Sequence, residues 1–144
     1  MDETDLQIRS HVYRRFAGTG RAPAVAELEQ EVGGDVRDAL RRLQDAHALL
    51  LDPETGEILM AHPFSAVPTP HRVDAADGSW YANCGFDTFG IAAALETDAQ
   101  ISSSCPDCGD TLEIDVRDRQ PIPNDYVFHT VVSAAHWWDD IVFT

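Results

Sequence analysis

The apolar residues of this chain change their spacing near residue 46, and that change limits the fold more than any other feature. Before it, apolar side chains recur about one helical turn apart. After it, they form short runs or alternate with polar residues. The helical part falls into three segments, whose apolar residues are Leu6, Val12, Tyr13 and Phe16; Val25, Leu28 and Val32; and Val36, Ala39, Leu40 and Leu43. The sequence therefore predicts helices followed by strands, an α+β fold.

The first lobe is predicted to resemble a winged helix. Two apolar runs, 49–51 and 58–60, flank a turn-forming segment that contains Pro53 and Gly56, which is typical of a hairpin. Three helices and a hairpin make a winged-helix-like lobe over residues 1–61. The arginines of its third helix are balanced by aspartates, so we expect a structural or substrate-covering role rather than DNA binding.

The rest of the chain is predicted to form a connector and a second lobe. Residues 62–79 contain three prolines and are interpreted as the connector. Residues 80–144 are interpreted as a mixed α/β lobe with a mainly antiparallel sheet. A short helix is expected after Cys84, and the expected strands are 100–104, 112–116, 126–132 and one beginning at Ile141.

The charge of the chain restricts its partners. The formal net charge is -15, and all ten basic residues are arginine. Such a surface repels phosphate backbones, so nucleic-acid binding is disfavoured. No apolar run reaches the roughly 20 residues that cross a bilayer. The acidic N-terminus does not resemble a signal peptide, so a cytoplasmic location without membrane contact is expected.

Thiol chemistry is limited to three cysteines, of which Cys84 is the most informative. Asp87 follows it by three residues at the predicted start of a helix, so the two side chains share one face. A helix N-terminus can lower the pKa of a thiol, and a carboxylate beside it can carry a proton. Alternatively, Cys84 is a small buried apolar residue, and Asp87 only stabilises the helix N-terminus.

The segment Cys105-Pro106-Asp107-Cys108-Gly109 leaves three interpretations open. One CxxC pair supplies two ligands, whereas structural zinc takes four, and the spacing does not point to His129 or His136 as the others. The segment is therefore a plain turn with inert thiols, a site for metal or mercury, or a redox pair.

Several segments resemble the organomercurial (alkylmercury) lyase family, and the pattern Tyr-Ala-Asn-Cys with an aspartate three residues later is the most specific part. The resemblance covers most of the chain and is carried by His62-Pro63-Phe64-Ser65, Trp80–Gly90, Cys105-Pro106-Asp107-Cys108-Gly109 and Trp137–Phe143.

The resemblance implies a reaction and a site. The family cleaves the carbon–mercury bond by protonolysis, giving a hydrocarbon and Hg(II) from a small organomercurial substrate. By resemblance, Cys84 captures and binds mercury, and Asp87 transfers the proton and can bind mercury as well. No cofactor is implied. External small thiols would release Hg(II), and handover to a reductase is expected.

The family's second active-site cysteine would fall just after Phe143-Thr144, where the given sequence ends. Cys105 lies near a position where the family often has a structural cysteine. If no cysteine follows, Cys105 or Cys108 is the internal substitute. Trp80 and Tyr81 are expected to flank the site. Two alternatives remain, namely a non-enzymatic thiol protein that binds heavy metals as a sensor or carrier, and a related enzyme acting on another carbon–heteroatom bond.

His62 and His71 are interpreted as loop or surface residues. Trp137 and Trp138 are expected to pack in the core or between the lobes rather than to form a substrate cage.

Overall fold

Four α-helices and eight strands make up the computed structural model, which describes residues 1–130 and 132–141. The helices are α1 (Glu3–Thr19), α2 (Val25–Glu31), α3 (Val36–Asp45) and α4 (Gly85–Ala94), with a 3₁₀ helix at Ala134–Asp139. The strands are β1 (Leu50–Leu51), β2 (Ile58–Ala61), β3 (Phe64–Ser65), β4 (Arg72–Ala75), β5 (Gly78–Ala82), β6 (Ala99–Ser104), β7 (Thr111–Arg117) and β8 (Gln120–Pro121). Among the described residues, no helix is both long and apolar enough to cross a bilayer.

The first helices begin where side chains can cap them. Asp2 accepts a hydrogen bond from the Asp5 backbone N–H at 2.9 Å, and the Asp5 carboxylate accepts one from the Asp2 N–H, also at 2.9 Å. This reciprocal pair is a capping box, which satisfies two N–H groups that the helix itself leaves unpaired. The Asp35 carboxylate caps α3 with a single hydrogen bond, which it accepts from the Asp38 N–H.

All strands join one antiparallel sheet, in the order β1-β2-β3-β5-β4-β6-β7-β8. The predicted α+β class with a mainly antiparallel sheet is therefore confirmed. Residues 62–79, predicted as a connector, contain β3 and β4. The winged-helix-like arrangement and the division at residues 61 and 79 stay predictions.

The core lies between the sheet and the N-terminal helices. The Phe16 and Phe64 rings stack with centroids 5.3 Å apart, and the indole N–H of Trp80 donates to the Phe16 carbonyl at 2.8 Å. Trp80 is only 4% exposed. The expectation that Trp80 flanks the site is wrong, because alternation along β5 turns its side chain toward α1 instead.

The predicted strand at 126–132 is wrong for its described residues. Residues 126–130 are exposed and outside any helix or strand, and residue 131 lies outside the described part. The strand predicted to begin at Ile141 cannot be compared, because Ile141 itself lies in a turn and residues 142–144 are outside the described part.

Candidate functional site

Cys84 and Asp87 meet at the N-terminus of α4. Cys84 is the N-cap residue, with extended backbone angles, and its side chain is half-buried. Asp87 lies in the first turn, and its carboxyl group is within hydrogen-bonding contact of the Cys84 thiol. The backbone N–H groups of Phe86 and Asp87 also face the sulfur. The structure thus brings together the two residues that the sequence singled out.

Burial raises the pKa of the Cys84 thiol, and the negative charge of Asp87 raises it further. Hydrogen bonds from the backbone N–H groups act in the opposite direction but do not outweigh these two effects. The expectation that the helix N-terminus leaves this thiol with a lowered pKa is therefore wrong. At neutral pH Cys84 carries its proton, beside a group that can accept it.

Two further side chains hold the Asp87 carboxylate. The Asn83 amide Nδ2 donates to Asp87 Oδ2 at 3.0 Å, and His62 Nδ1 lies 3.3 Å from the same oxygen. Asp87 is only 13% exposed, so these contacts determine where its oxygen atoms point. The interpretation of His62 as a loop or surface residue missed this contact. The only available signal was the position of His62 within a segment that resembles the family.

Two polar atoms at the site have no partner among the described residues. His62 Nε2 and Asn83 Oδ1 are buried and make no hydrogen bond there. Buried polar atoms are normally paired. A bound water molecule or ligand at this site would therefore find one ring nitrogen and one amide oxygen available.

Aromatic side chains from the C-terminal segment border the site. Phe86 contacts Phe128 and Trp137, with centroid distances of 5.8 and 5.9 Å. The Trp138 ring meets the His62 ring edge-on at 5.4 Å. Both tryptophans are half-buried beside the site residues, and Trp138 stacks on His47 with ring centroids 4.4 Å apart, which agrees with the expected packing between the two predicted lobes.

His71 lies beneath the N-terminus of α4. Its Nδ1 is 2.7 Å from the Ser103 hydroxyl on β6, and burial lowers the pKa of the ring, so it is neutral at neutral pH. A methyl group built at Gly85 would lie 3.7 Å from the same hydroxyl. Strand β6 therefore supports the first residue of α4.

Two surface cavities lie elsewhere. One, about 490 Å³, opens between α1 and the end of α2, and the other, about 760 Å³, is bordered by residues 19–24 and Tyr81. Neither is lined by Cys84 or Asp87 among the described residues. Tyr81, expected to flank the site, borders the second of these cavities.

Cys105 and Cys108 lie in the turn between β6 and β7, where Cys105 is half-buried and Cys108 exposed. Within the described ranges, no group of three or more histidine, cysteine or acidic side chains is arranged to hold a metal ion. The described residues therefore do not supply the four ligands of a structural zinc site.

Comparison with known proteins identifies the family. The family model for alkylmercury lyase, MerB, matches residues 64–144, more than half of the chain. This chain belongs to the alkylmercury lyase family. The alkylmercury lyase of Staphylococcus epidermidis (strain ATCC 12228 / FDA PCI 1200) is 29% identical over 102 residues, which cover 71% of this chain and 46% of that protein.

A solved structure of a similar protein supports the fold. The crystal structure of the mercury-bound form of MerB2 superposes with a TM-score of 0.69 at 20% identity, covering 85% of this chain and 60% of that one. The chain thus spans about half the length of the curated relative and three fifths of the solved structure.

Proposed function

We propose that this chain carries the site of an organomercurial lyase, which cleaves a carbon–mercury bond by protonolysis. Family membership supplies the reaction class. The observation that carries the proposal is the contact between the Cys84 thiol and the Asp87 carboxyl group at the start of α4. A soft ligand and a proton acceptor are the two groups that this reaction needs.

Capture is the first step. The Cys84 sulfur binds the mercury of R–Hg–X, its proton passes to the Asp87 carboxylate, and X⁻ leaves. A thiol with a raised pKa is a weak nucleophile while it keeps its proton, and the carboxylate beside it assists capture by accepting that proton. The hydrogen bond from Asn83 and the contact with His62 hold this carboxylate in place while it accepts the proton.

Protonolysis follows. The proton on Asp87 passes to the carbon bound to mercury, the carbon–mercury bond breaks, and R–H leaves. Hg(II) then remains on the Cys84 sulfur and is neutralised by the Asp87 carboxylate, which has regained its charge. A further thiolate adds electron density at mercury. By the family resemblance this thiolate comes from a cysteine beyond Thr144 or from a small external thiol, and small thiols then remove Hg(II), for example toward a reductase.

The proposal is tested by incubating the protein with a phenylmercury salt and excess small thiol and measuring benzene. We expect Cys84→Ser to abolish benzene release. Asp87→Asn should retain capture but slow benzene release by about 10²-fold or more, because proton transfer is lost. Asp77→Asn removes an exposed carboxylate from the β4–β5 turn and is the matched control.

The outcomes separate the candidate functions. Normal turnover by Cys84→Ser would show that the site is assigned incorrectly. Tight binding of Hg(II) by the unmodified protein without any benzene would instead support a non-enzymatic mercury carrier.

A further inference from the structure

The turn between β6 and β7 holds two thiols in one small loop. The Cys105 N–H donates to the Asp110 carbonyl at 2.9 Å, and the Gly109 N–H donates to the Cys105 carbonyl at 2.9 Å, so the backbone of the turn is closed on itself. Within it, the Cys105 and Cys108 side chains are in hydrogen-bonding contact. Gly109 has a φ of +79°, a left-handed conformation that glycine adopts without strain.

The environment of Cys105 favours its thiolate form. Backbone N–H groups of Cys108 and Asp107 point at the Cys105 sulfur, and such donors stabilise a thiolate. The thiolate is the form that binds metals. The exposed Cys108 side chain makes the pair accessible from solvent.

The number of ligands selects the kind of ion. The Asp110 carboxyl group contacts the Cys108 thiol, but in the part of the chain that the structure describes no group of three or more histidine, cysteine or acidic side chains is arranged to hold a metal ion. Zinc needs four ligands and hard cations need several oxygen atoms, so two thiolates alone suit neither. A soft ion that is satisfied by two sulfur ligands fits the pair.

We propose that Cys105 and Cys108 form a second site, separate from Cys84, that chelates one soft two-coordinate cation, Hg(II). Binding replaces two protons: Hg(II) carried by two small thiolates exchanges them for the two protein thiolates, and two small thiols leave with the protons. No oxidation or reduction is involved. The choice of Hg(II) among soft ions rests on the proposed function, because that reaction releases Hg(II).

The position of the turn suits a product acceptor. Ser103 lies beside Gly85, with its hydroxyl 3.7 Å from where a methyl group at Gly85 would be. Cys105 follows Ser103 by two residues, and two residues of extended strand span about 7 Å. The turn is therefore close to the start of α4, where Hg(II) would be released, and its two thiolates can compete with small thiols for the ion.

The test measures mercury binding in full-length Cys84→Ser, which lacks the proposed catalytic thiol. The protein is reduced, desalted without oxygen, given Hg(II) as its glutathione complex and desalted again, and the retained mercury is counted. We expect one equivalent in Cys84→Ser. The double variant Cys84→Ser/Cys108→Ser should retain at least about tenfold less, because one thiolate loses the advantage of chelation.

Two controls complete the design. Cys84→Ser/Asp107→Asn changes the charge of the same turn without removing sulfur and should retain one equivalent. Zn(II) at the same concentration should not be retained by Cys84→Ser.

The proposal is overturned if Cys84→Ser holds no Hg(II) against glutathione, if the Cys108 substitution changes nothing, or if Zn(II) is retained equally well. Because every arm lacks Cys84, these results do not depend on benzene release. Failure of the second site and failure of the lyase proposal are therefore separate observations.

Discussion

At the scale of single residues, the site combines a thiol that keeps its proton with a carboxylate that can take it. Burial and the charge of Asp87 both raise the pKa of Cys84. A protonated thiol binds metals poorly, so the resting site is protected from adventitious cations until proton transfer accompanies capture.

Neutralising Asp87 should make the Cys84 thiol more acidic. In a Cys105→Ser/Cys108→Ser background, where Cys84 is the one thiol left within residues 1–144, we expect Asp87→Asn to shift the pH midpoint of its alkylation by iodoacetamide downward. The reason is that the negative charge and hydrogen bond of Asp87 both raise this pKa.

Asp77→Asn, which removes an exposed charge in the β4–β5 turn, should leave the alkylation midpoint where it was. An unchanged or higher midpoint in Asp87→Asn would show that Asp87 does not control the thiol.

The residues of the site differ in how far the sequence predicts them. Cys84 and Asp87 are three positions apart at a helix start, so helical geometry alone predicts that they meet. His62 lies 25 residues from Asp87, and its contact arises because the turn between β2 and β3 packs against α4. There, a methyl group at Gly90 would lie 3.1 Å from Pro63. No local pattern encodes such a contact.

At the scale of elements, the end of α1 is held tightly against β5. Gly20 is the C-cap, with a φ of +69°, and its N–H donates to the Phe16 carbonyl. A methyl group at Gly20 would lie 2.3 Å from the Ser79 carbonyl oxygen. Both the backbone conformation and the close approach therefore require glycine.

Gly20→Ala should lower the free energy of unfolding by at least about 2 kcal/mol, since it adds left-handed strain and a backbone collision. Urea denaturation provides the measurement. Gly18→Ala is the matched control in the same helix, because a methyl group there meets nothing within 4 Å. It should stabilise the protein by about 0.5–1 kcal/mol. Equal stability of the two variants would contradict this account.

The ion pair between α1 and α3 should make stability depend on acid pH. Asp5 is buried, and hydrogen bonds from the Arg42 guanidinium at 2.7 and 3.0 Å hold its pKa below the ordinary value of 3.8, although burial opposes this. The folded state therefore binds the proton less readily than the unfolded state. The pair's contribution is complete above pH 3.8 and is lost as the pH falls through the lowered pKa.

Asp5→Asn should thus melt at a lower temperature than the unmodified protein at neutral pH, with the difference shrinking below pH 3.8. Asp45→Asn, an exposed change on α3, controls for loss of charge. A difference in melting temperature that stays constant across the acid range would argue against the ion pair.

The elements that the sequence predicts well are those with local signals. Helices α1 and α3 each begin after a capping aspartate and have apolar residues at helical spacing. Strand β7 has apolar residues that alternate with charged ones. Residues 126–130 include three apolar side chains but form no strand, because a strand also needs a hydrogen-bonding neighbour and none of these residues pairs with a strand in the described part. Composition does not reveal which residues pair at a sheet edge.

At the scale of the whole molecule, the net charge of -15 makes a long-range electrostatic contribution to the free energy of unfolding. Like charges on a compact chain repel one another, and unfolding relieves that repulsion. Salt screens it, because the screening length falls from about 30 Å at 0.01 M to about 3 Å at 1 M.

Raising NaCl from about 0.05 M to about 2 M should raise the melting temperature by about 5 °C or more at neutral pH. Near the isoelectric point the same salt increase should have little effect, because little net charge remains to be screened. A melting temperature that does not respond to salt at neutral pH would show that local ion pairs already offset the repulsion.

The ring of Trp138 stacks on His47 at 4.4 Å and also meets His62, next to Asp87. One indole thus bridges the loop after α3 and the proposed reaction centre. The proposed reaction therefore depends on both halves of the chain. A fragment of residues 80–144 would keep the Cys84 thiol and the Asp87 carboxylate but would lack His62 and His47, the two rings that Trp138 contacts. Divergence in the N-terminal helices of related chains should therefore alter reactivity as well as folding.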